Sequence, residues 1–423
     1  MLQRCSIEAV KKAISHGQDE AEAFAQKKRG FIAEFSEGRI TRVIERESQG
    51  IGIRVIHQKA IGFAYSTDLS TIMVPVKKAM DNAQIVSPDP FFRSLPHPQA
   101  IPHIPSLSDP RLQQAHTTEL IDMVSELLSS IEQGTGTIQI TVRECAISNS
   151  HEVSVAYKKS DCSVKFAAAP HTAASYCNFS QWDTQALTQF MENEILQTPV
   201  PEKRMKWDNK GDIILEPNAV PNFIRPFIMA LNGKNVVNES SFLRQLKDNE
   251  ILSHDVSLYD DGCYPNGLFT QPVDAEGVPS QTTVLLEEGV LKNFIYDSYH
   301  AFRDGTQSTG NALRQGFKDL PGCMFTNVIL DAGESPFTEL VEDTHHGIII
   351  NSLGANVVDP RSPHITLSVS RGGLIEKGEI VGSLYPTVLM GNVLTMMQHP
   401  LLSRERKQIF RFIVPWIQMP SSH

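Results

Sequence analysis

Two pairs of acidic side chains stand close enough in the chain to work as an acid–base couple: Asp260 with Asp261, and Asp274 with Glu276. A bond flanked by one protonated and one ionised carboxyl can be hydrolysed without further help. Asp260-Asp261-Gly262 and Asp274-Ala275-Glu276-Gly277 are equally turn sequences, in which Asp accepts from its own backbone. Cys263 follows the first turn, but no His is near it in sequence to activate it, so it reads as a resting thiol. Ser308 sits in Gly305-Thr306-Gln307-Ser308-Thr309-Gly310, which is not the GxSxG of a nucleophile elbow. Neither GxGxxG nor GxxxxGK[ST] occurs, so no phosphate cradle is indicated.

Metal-assisted hydrolysis needs converging His, Cys or carboxylate ligands and a base beside the bound water. His151-Glu152 fails as HExxH, because Val155 stands where the second His would be, and as HExxxH, because Ala156 does. His345-His346, with Glu342 and Asp343 just before it, is the densest ligand-type cluster. Neighbours on an extended chain point to opposite faces, so one ion cannot use both. His254 and His364 are isolated and read as structural or exposed.

The elements that would position these groups are mixed. Ile7, Val10 and Ile14 have helical spacing, closed by Gly17. Phe31 to Phe35, Ile51 to Val55 and Ile61 to Phe63 alternate as strands of an antiparallel meander, and Leu69 to Ala83 returns to helix, with Pro75 tolerated only in its first turn. Seven prolines between Ser87 and Pro110 make an extended linker, and Phe91, Phe92, Ile101 and Ile104 predict that it lies along a surface. Leu120 to Ile131 forms an amphipathic helix capped by Thr117 or Thr118, followed by strands to about Ser180 with a turn at Ser148-Asn149-Ser150. From Gly211 the chain is short strands and turns, apart from one helix-like run, Val220 to Leu231, that carries Pro221 and Pro226. The expected fold is α+β: residues 1–86 as an N-terminal α+β part, 87–115 as linker, 116–210 completing the N-terminal domain, and 211–423 as a β-rich, sandwich- or barrel-like C-terminal domain.

The 423 residues have ordinary globular composition and a net charge of −10, which argues against a nucleic-acid binder that tracks phosphates with clustered Lys and Arg. No apolar stretch is long enough to span a membrane, the first residues carry no secretory signal, and six scattered cysteines fit free thiols in the cytoplasm.

Residues 261–314 carry a more specific pattern. Asp261-Gly262 is followed by Pro272-Val273-Asp274-Ala275-Glu276-Gly277-Val278-Pro279, by Tyr296-Asp297-Ser298-Tyr299-His300-Ala301, and by Ser308-Thr309-Gly310-Asn311. Together with Gly50-Ile51-Gly52-Ile53-Arg54-Val55 near the start and Ser370-Arg371-Gly372-Gly373 near the end, this resembles the TldD/PmbA family, two-subunit metalloproteases once described as modulators of DNA gyrase. The resemblance covers essentially the whole chain.

In that family the TldD-type subunit holds its metal with a helical HExxxH, and the PmbA (TldE) type lacks the motif. The matching segment here falls near Ile224 to Met229, and no His or Glu lies from Pro217 to Asn238. The resemblance therefore implies a metal-free subunit of a cytoplasmic two-component protease. It would use no cofactor, with zinc only in a TldD-type partner, and would act on peptides or unfolded proteins, with no membrane or nucleic-acid partner. The substrate-groove candidates are Gly262, Cys263 and Gly267, then Ser308, Thr309, Gly310 and Asn311, then Ser370, Arg371 and Gly372, read as three loops. Two other readings stay open: a self-associating (homodimeric) peptide-binding protein with no enzymatic role, and a hydrolase built on Asp274 and Glu276. Elemental analysis of protein purified without chelators is expected to find no stoichiometric zinc; a full equivalent, lost on substituting His346, would overturn the metal-free reading.

Overall fold

The computed structural model describes residues 1–168, 175–195, 201, 203–354 and 358–420. The N-terminal half is built on six antiparallel strands. Helix α1 (Leu2–Ser15) precedes β1 (Glu20–Ser36), β2 (Arg39–His57) and β3 (Ala60–Ser66). Helix α2 (Met73–Ile85) follows with Pro75 in its first turn, where the missing N–H costs nothing. After the linker come α3 (Pro110–Gln114), α4 (Thr117–Leu128), β4 (Thr135–Asn149), β5 (Ser154–Ala167), β6 (Ser175–Phe179) and α5 (Thr184–Ile195). The strand order is β3-β2-β1-β4-β5-β6.

One sheet face divides between two apolar clusters. Near β3, Ala23, Ile51, Ile53 and Val55 pack under α1 and α2. Towards the other end, Phe31, Phe35, Ile138, Val164 and Phe166 pack under α4 and α5. Gly62 permits the first contact, because a Cβ there would lie 2.0 Å from the Ala79 carbonyl of α2.

Helix α4 is not capped by Thr117 or Thr118 as the sequence suggests. Thr117 is already helical, and the N-cap is His116, whose N–H donates to Glu119 at 2.7 Å. The acceptor three residues on outweighs the propensity of the threonines. Linker residues Phe92 and Leu95 are buried against Ile56, and Glu20 accepts from the Leu95 N–H at 2.7 Å, so the segment clings to the sheet. The linker stretch is not wholly extended, since α3 begins at Pro110, capped by Asp109.

The C-terminal half opens with β7 (Arg204–Met205), β8 (Asp212–Leu215), α6 (Val220–Phe223) and α7 (Arg225–Ala230). The single helix-like run is thus two short helices, each with a proline in its first turn. A mixed sheet of twelve strands carries this half, with β8 near its centre between Phe412–Pro420 and His346–Leu353. Its larger core lies on the face covered by α6 and α7, where Leu215, Phe223, Phe227, Ile348 and Ile350 meet. Asp260 and Asp261 end the strand Leu258–Asp261 and do not form the turn themselves.

Buried charge joins the two halves. Arg54 on β2 reaches Glu22 on β1 at 2.7 Å and Glu276 at 3.0 Å, and Arg314 pairs with Glu22. The other Glu276 oxygen accepts from the Ser298 N–H at 3.0 Å, at the start of the helix Ser298–Asp304. All four side chains are at most 7% exposed. Burial raises the pKa of Glu22, but Arg314 and Arg54 outweigh it and hold this carboxyl below its ordinary range.

Removing one member of such a set leaves buried charge uncompensated. Arg54→Met is expected to cost about 3–5 kcal/mol in urea denaturation, with Arg54→Lys recovering part of it. Because Glu22 is depressed, its contribution is present at neutral pH and is lost as pH falls below the carboxylate range. A denaturation midpoint unchanged by Arg54→Met would show that the joint contributes nothing.

Candidate functional site

The structure divides the sequence candidates into two groups. Two of the three segments meet. A Cβ on Gly262 would lie 2.8 Å from the Ser280 side chain, and one on Gly310 would lie 2.6 Å from the Pro279 carbonyl. Cys263 donates through Sγ to the Ser280 carbonyl, and burial pushes its thiol up. Asn311 donates to Asp260, which also accepts from the Thr326 N–H and hydroxyl at 2.8 Å each. Burial outweighs these donors and lifts Asp260 to about 6. Ser308 and Thr309 donate to the Tyr296 carbonyl, and Gly267 would clash with Asn327 if it carried a Cβ. These contacts all lie within the C-terminal half, and they tie the first two segments to each other.

Asp274 and Glu276 are buried as well. The two Asp274 oxygens accept from the N–H groups of Glu276, Val278 and Ala312, while Glu276 is spent on Arg54 and Ser298. Burial, reinforced by Glu276, pushes Asp274 well above the carboxylate range. The pair holds a turn and offers no faces to a scissile bond and its water.

Ser370, Arg371 and Gly372 lie elsewhere, and they are not a loop. They fall inside the strand His364–Glu376. The register against the strand His346–Leu353 slips twice there, between Ile350 and Ser352 and between Ser352 and Leu353, with Arg371 opposite Ser352. Such bulges re-aim side chains. Around Arg371 lies a polar strip that sequence reasoning missed. Glu216, just beyond β8, accepts from Asn351 and has Lys407, Glu194 and Arg371 nearby. Lys407 Nζ pairs with Glu194 at 2.8 Å and lies over the Trp416 ring at 5.4 Å. Burial raises Glu216 against the pull of its neighbours. No signal in the sequence links residues from five separate elements.

The strip's charged groups pair largely with one another. It holds no nucleophile with a base. Among the described residues, the one serine–histidine–carboxylate contact outside it is Ser94, His151 and Glu20, and there Ser94 and Glu20 both meet Nε2 of His151. A relay needs the two partners on different ring nitrogens. Helices α6 and α7 border the strip's sheet, and Asn222 donates to the Leu353 carbonyl at 2.8 Å. Val220 to Ala230, the segment in which the resemblance places the metal motif, offer no His, Cys, Asp or Glu, so it does not fit a metal ion. Among the described residues, no three His, Cys, Asp or Glu side chains converge as a metal site, and no helix is long and apolar enough to cross a membrane. His345 and His346 lie at the start of a strand, with His346 3.1 Å from Asp208.

Comparison with known proteins gives the family. Residues 208–421 match the model of the PmbA/TldA metallopeptidase C-terminal domain, and residues 21–83 match the PmbA/TldA metallopeptidase domain 1. The Metalloprotease PmbA of Escherichia coli O157:H7 is 25% identical over 423 aligned residues, 93% of this chain and 89% of that protein. A Metalloprotease TldD homolog of Haemophilus influenzae is 31% identical, but over only 42% of this chain and 37% of its own length. The crystal structure of TldE from Thermococcus kodakarensis superposes with a TM-score of 0.83 over 98% of both chains at 22% identity, a likeness of fold. With a family model spanning half its length and two domains matched in order, the chain belongs to the PmbA/TldD metallopeptidase family.

Proposed function

We propose that this chain is the PmbA/TldE-type, metal-free subunit of a two-component metalloprotease that processes or degrades peptides and unfolded proteins. One observation carries the reading: the segment that matches the family's metal helix is two short helices with no ligand-type side chain. Alignment with PmbA over nearly the whole chain, against partial alignment with a TldD homologue, supports the same branch. Metal and general base then come from a TldD-type partner. This chain supplies part of the wall, and the strip around Glu216 and Arg371 holds the substrate backbone by hydrogen bonds. Six unpaired cysteines fit a reducing compartment, and we assign the complex to the cytoplasm.

Exposed apolar side chains favour association, with itself when no partner is present. Tyr385, Val388 and Met390 are 46%, 44% and 64% exposed beside the strand Thr387–Asn392. Light scattering at micromolar concentration is expected to show a dimer or a larger species; a clean monomer would count against this surface.

The decisive assay measures peptide cleavage by this protein, by a TldD-type partner and by the mixture. The isolated chain is expected to be inactive and the mixture active. Replacing the partner's general base should lower the rate by at least about 10²-fold, whereas Cys263→Ser here should change it only a few-fold. Metal-dependent turnover by this chain alone, free of contaminating protease, would refute the subunit reading.

A further inference from the structure

The second face of the six-stranded sheet is basic, on a chain whose net charge is −10. Register places Lys28, Arg143 and Lys159 directly opposite one another across β1, β4 and β5. Arg46 lies opposite Gly30 on the same face, and Thr137 lies opposite Lys165. With Arg42, six cations share this face, five beyond the joint and Lys159 buried at its edge, against the carboxylates Glu34 and Asp161. Like charges placed directly opposite on neighbouring strands destabilise a sheet. The structure offsets little of that here. Asp161 lies 3.1 Å from Lys159 and 3.7 Å from Arg143, and Glu34 lies 3.7 Å from Arg42. Lys159 is further held by the Leu268 carbonyl at 2.6 Å. Among the described residues, no ion pair reaches Lys28, Arg46 or Lys165. Burial first, and Arg143 second, push Lys28 below its ordinary range.

We infer that this face is a docking surface for an acidic, extended peptide segment. The inference rests on the reading that the chain handles peptides, and it adds a preference for negative charge. The surplus positive charge selects the sign of the occupant. Ile32 and Ile44 select its kind. They lie opposite each other on the same face, half-buried among the cations, and they offer contact to side chains of a peptide that a string of phosphates lacks. The face continues to the domain joint, where Lys159 meets the loop before Phe269, and Phe269 packs against Phe410, which is 48% exposed.

The test is fluorescence anisotropy on the full chain with short labelled peptides of alternating Glu and Ser, Gln and Ser, or Lys and Ser, and with oligothymidylate. The Glu peptide is expected to bind about tenfold tighter than the Gln peptide and to lose that advantage in molar salt, where the Debye length is about 3 Å. Lys28→Gln with Arg46→Gln should weaken it about fivefold, and Arg46→Lys should not. Both sites are at least partly exposed, so the fold is retained. Equal binding of the Glu and Gln peptides would overturn the acidic preference and leave the peptide reading standing. Failure of every peptide to bind would overturn both. Oligothymidylate bound more tightly than the Glu peptide would assign the face to nucleic acid and refute the inference. So would a dimer that the double variant dissociates, which would assign the face to a second copy.

Discussion

Four buried charges set how the two halves of this molecule meet. Glu22 and Arg54 come from adjacent strands of the first sheet, and Glu276 and Arg314 come from the C-terminal half. Taking four charges out of water is costly, and their mutual attraction offsets that only when all four are present in one geometry. A slipped or rotated arrangement would leave at least one charge without its partner. The set therefore contributes orientation more than stability. It also reaches beyond the joint, because Glu276 anchors the start of the helix Ser298–Asp304 while Asp274 fixes the turn beside it.

The runs between 261 and 314 are tied down by further internal contacts. Asp260, Asp274, Glu276 and Asn311 are all committed to internal partners, and Gly262 and Gly310 are small so that the backbone can close over Pro279 and Ser280. Two polar regions lie apart from that set, the strip around Glu216 and Arg371 and the basic face of the first sheet. The basic face lies on regular strands, where register holds the side chains, and the strip lies where the register slips; among the described residues neither contains a nucleophile poised against a base. On the proposed reading, this scaffold holds and orients an extended chain while the partner subunit does the chemistry.

Much of the fold was legible because alternation and turn residues are local. Phe31 to Phe35 and Ile51 to Val55 pair as their pattern implies, and Pro75 falls in the first helical turn. The Arg54 to Glu276 contact spans 222 positions, and nothing in either neighbourhood marks it. Ser370 to Gly372 reads as a loop because serine and glycine favour turns, yet pairing on both sides draws the segment into a strand. The Glu216 strip escaped notice for a similar reason. Its members are ordinary polar residues one at a time, and only the bulge at Ser352 brings Arg371 towards them.

The geometry of Val220 to Ala230 excludes a metal motif on more grounds than its missing ligands. HExxxH places its two histidines five positions apart, and both must face the same opening. In Val220 to Ala230, every pair at that spacing has at least one member in the core. Val220 is buried opposite Arg225, Phe227 opposite Asn222, Ile224 opposite Met229 and Ala230 opposite Arg225, while Pro226 and Ile228 close the remaining pairs. The break at Ile224, between helices that each carry a proline in the first turn, sets this phase. Histidines written into the segment would put an imidazole among Leu215, Ile348 and Ile350 before they could meet at a metal. The backbone here is arranged to fill a core and to lend Asn222 to the Leu353 carbonyl. Its local geometry is that of a structural wall, whatever chemistry faces it from the other side.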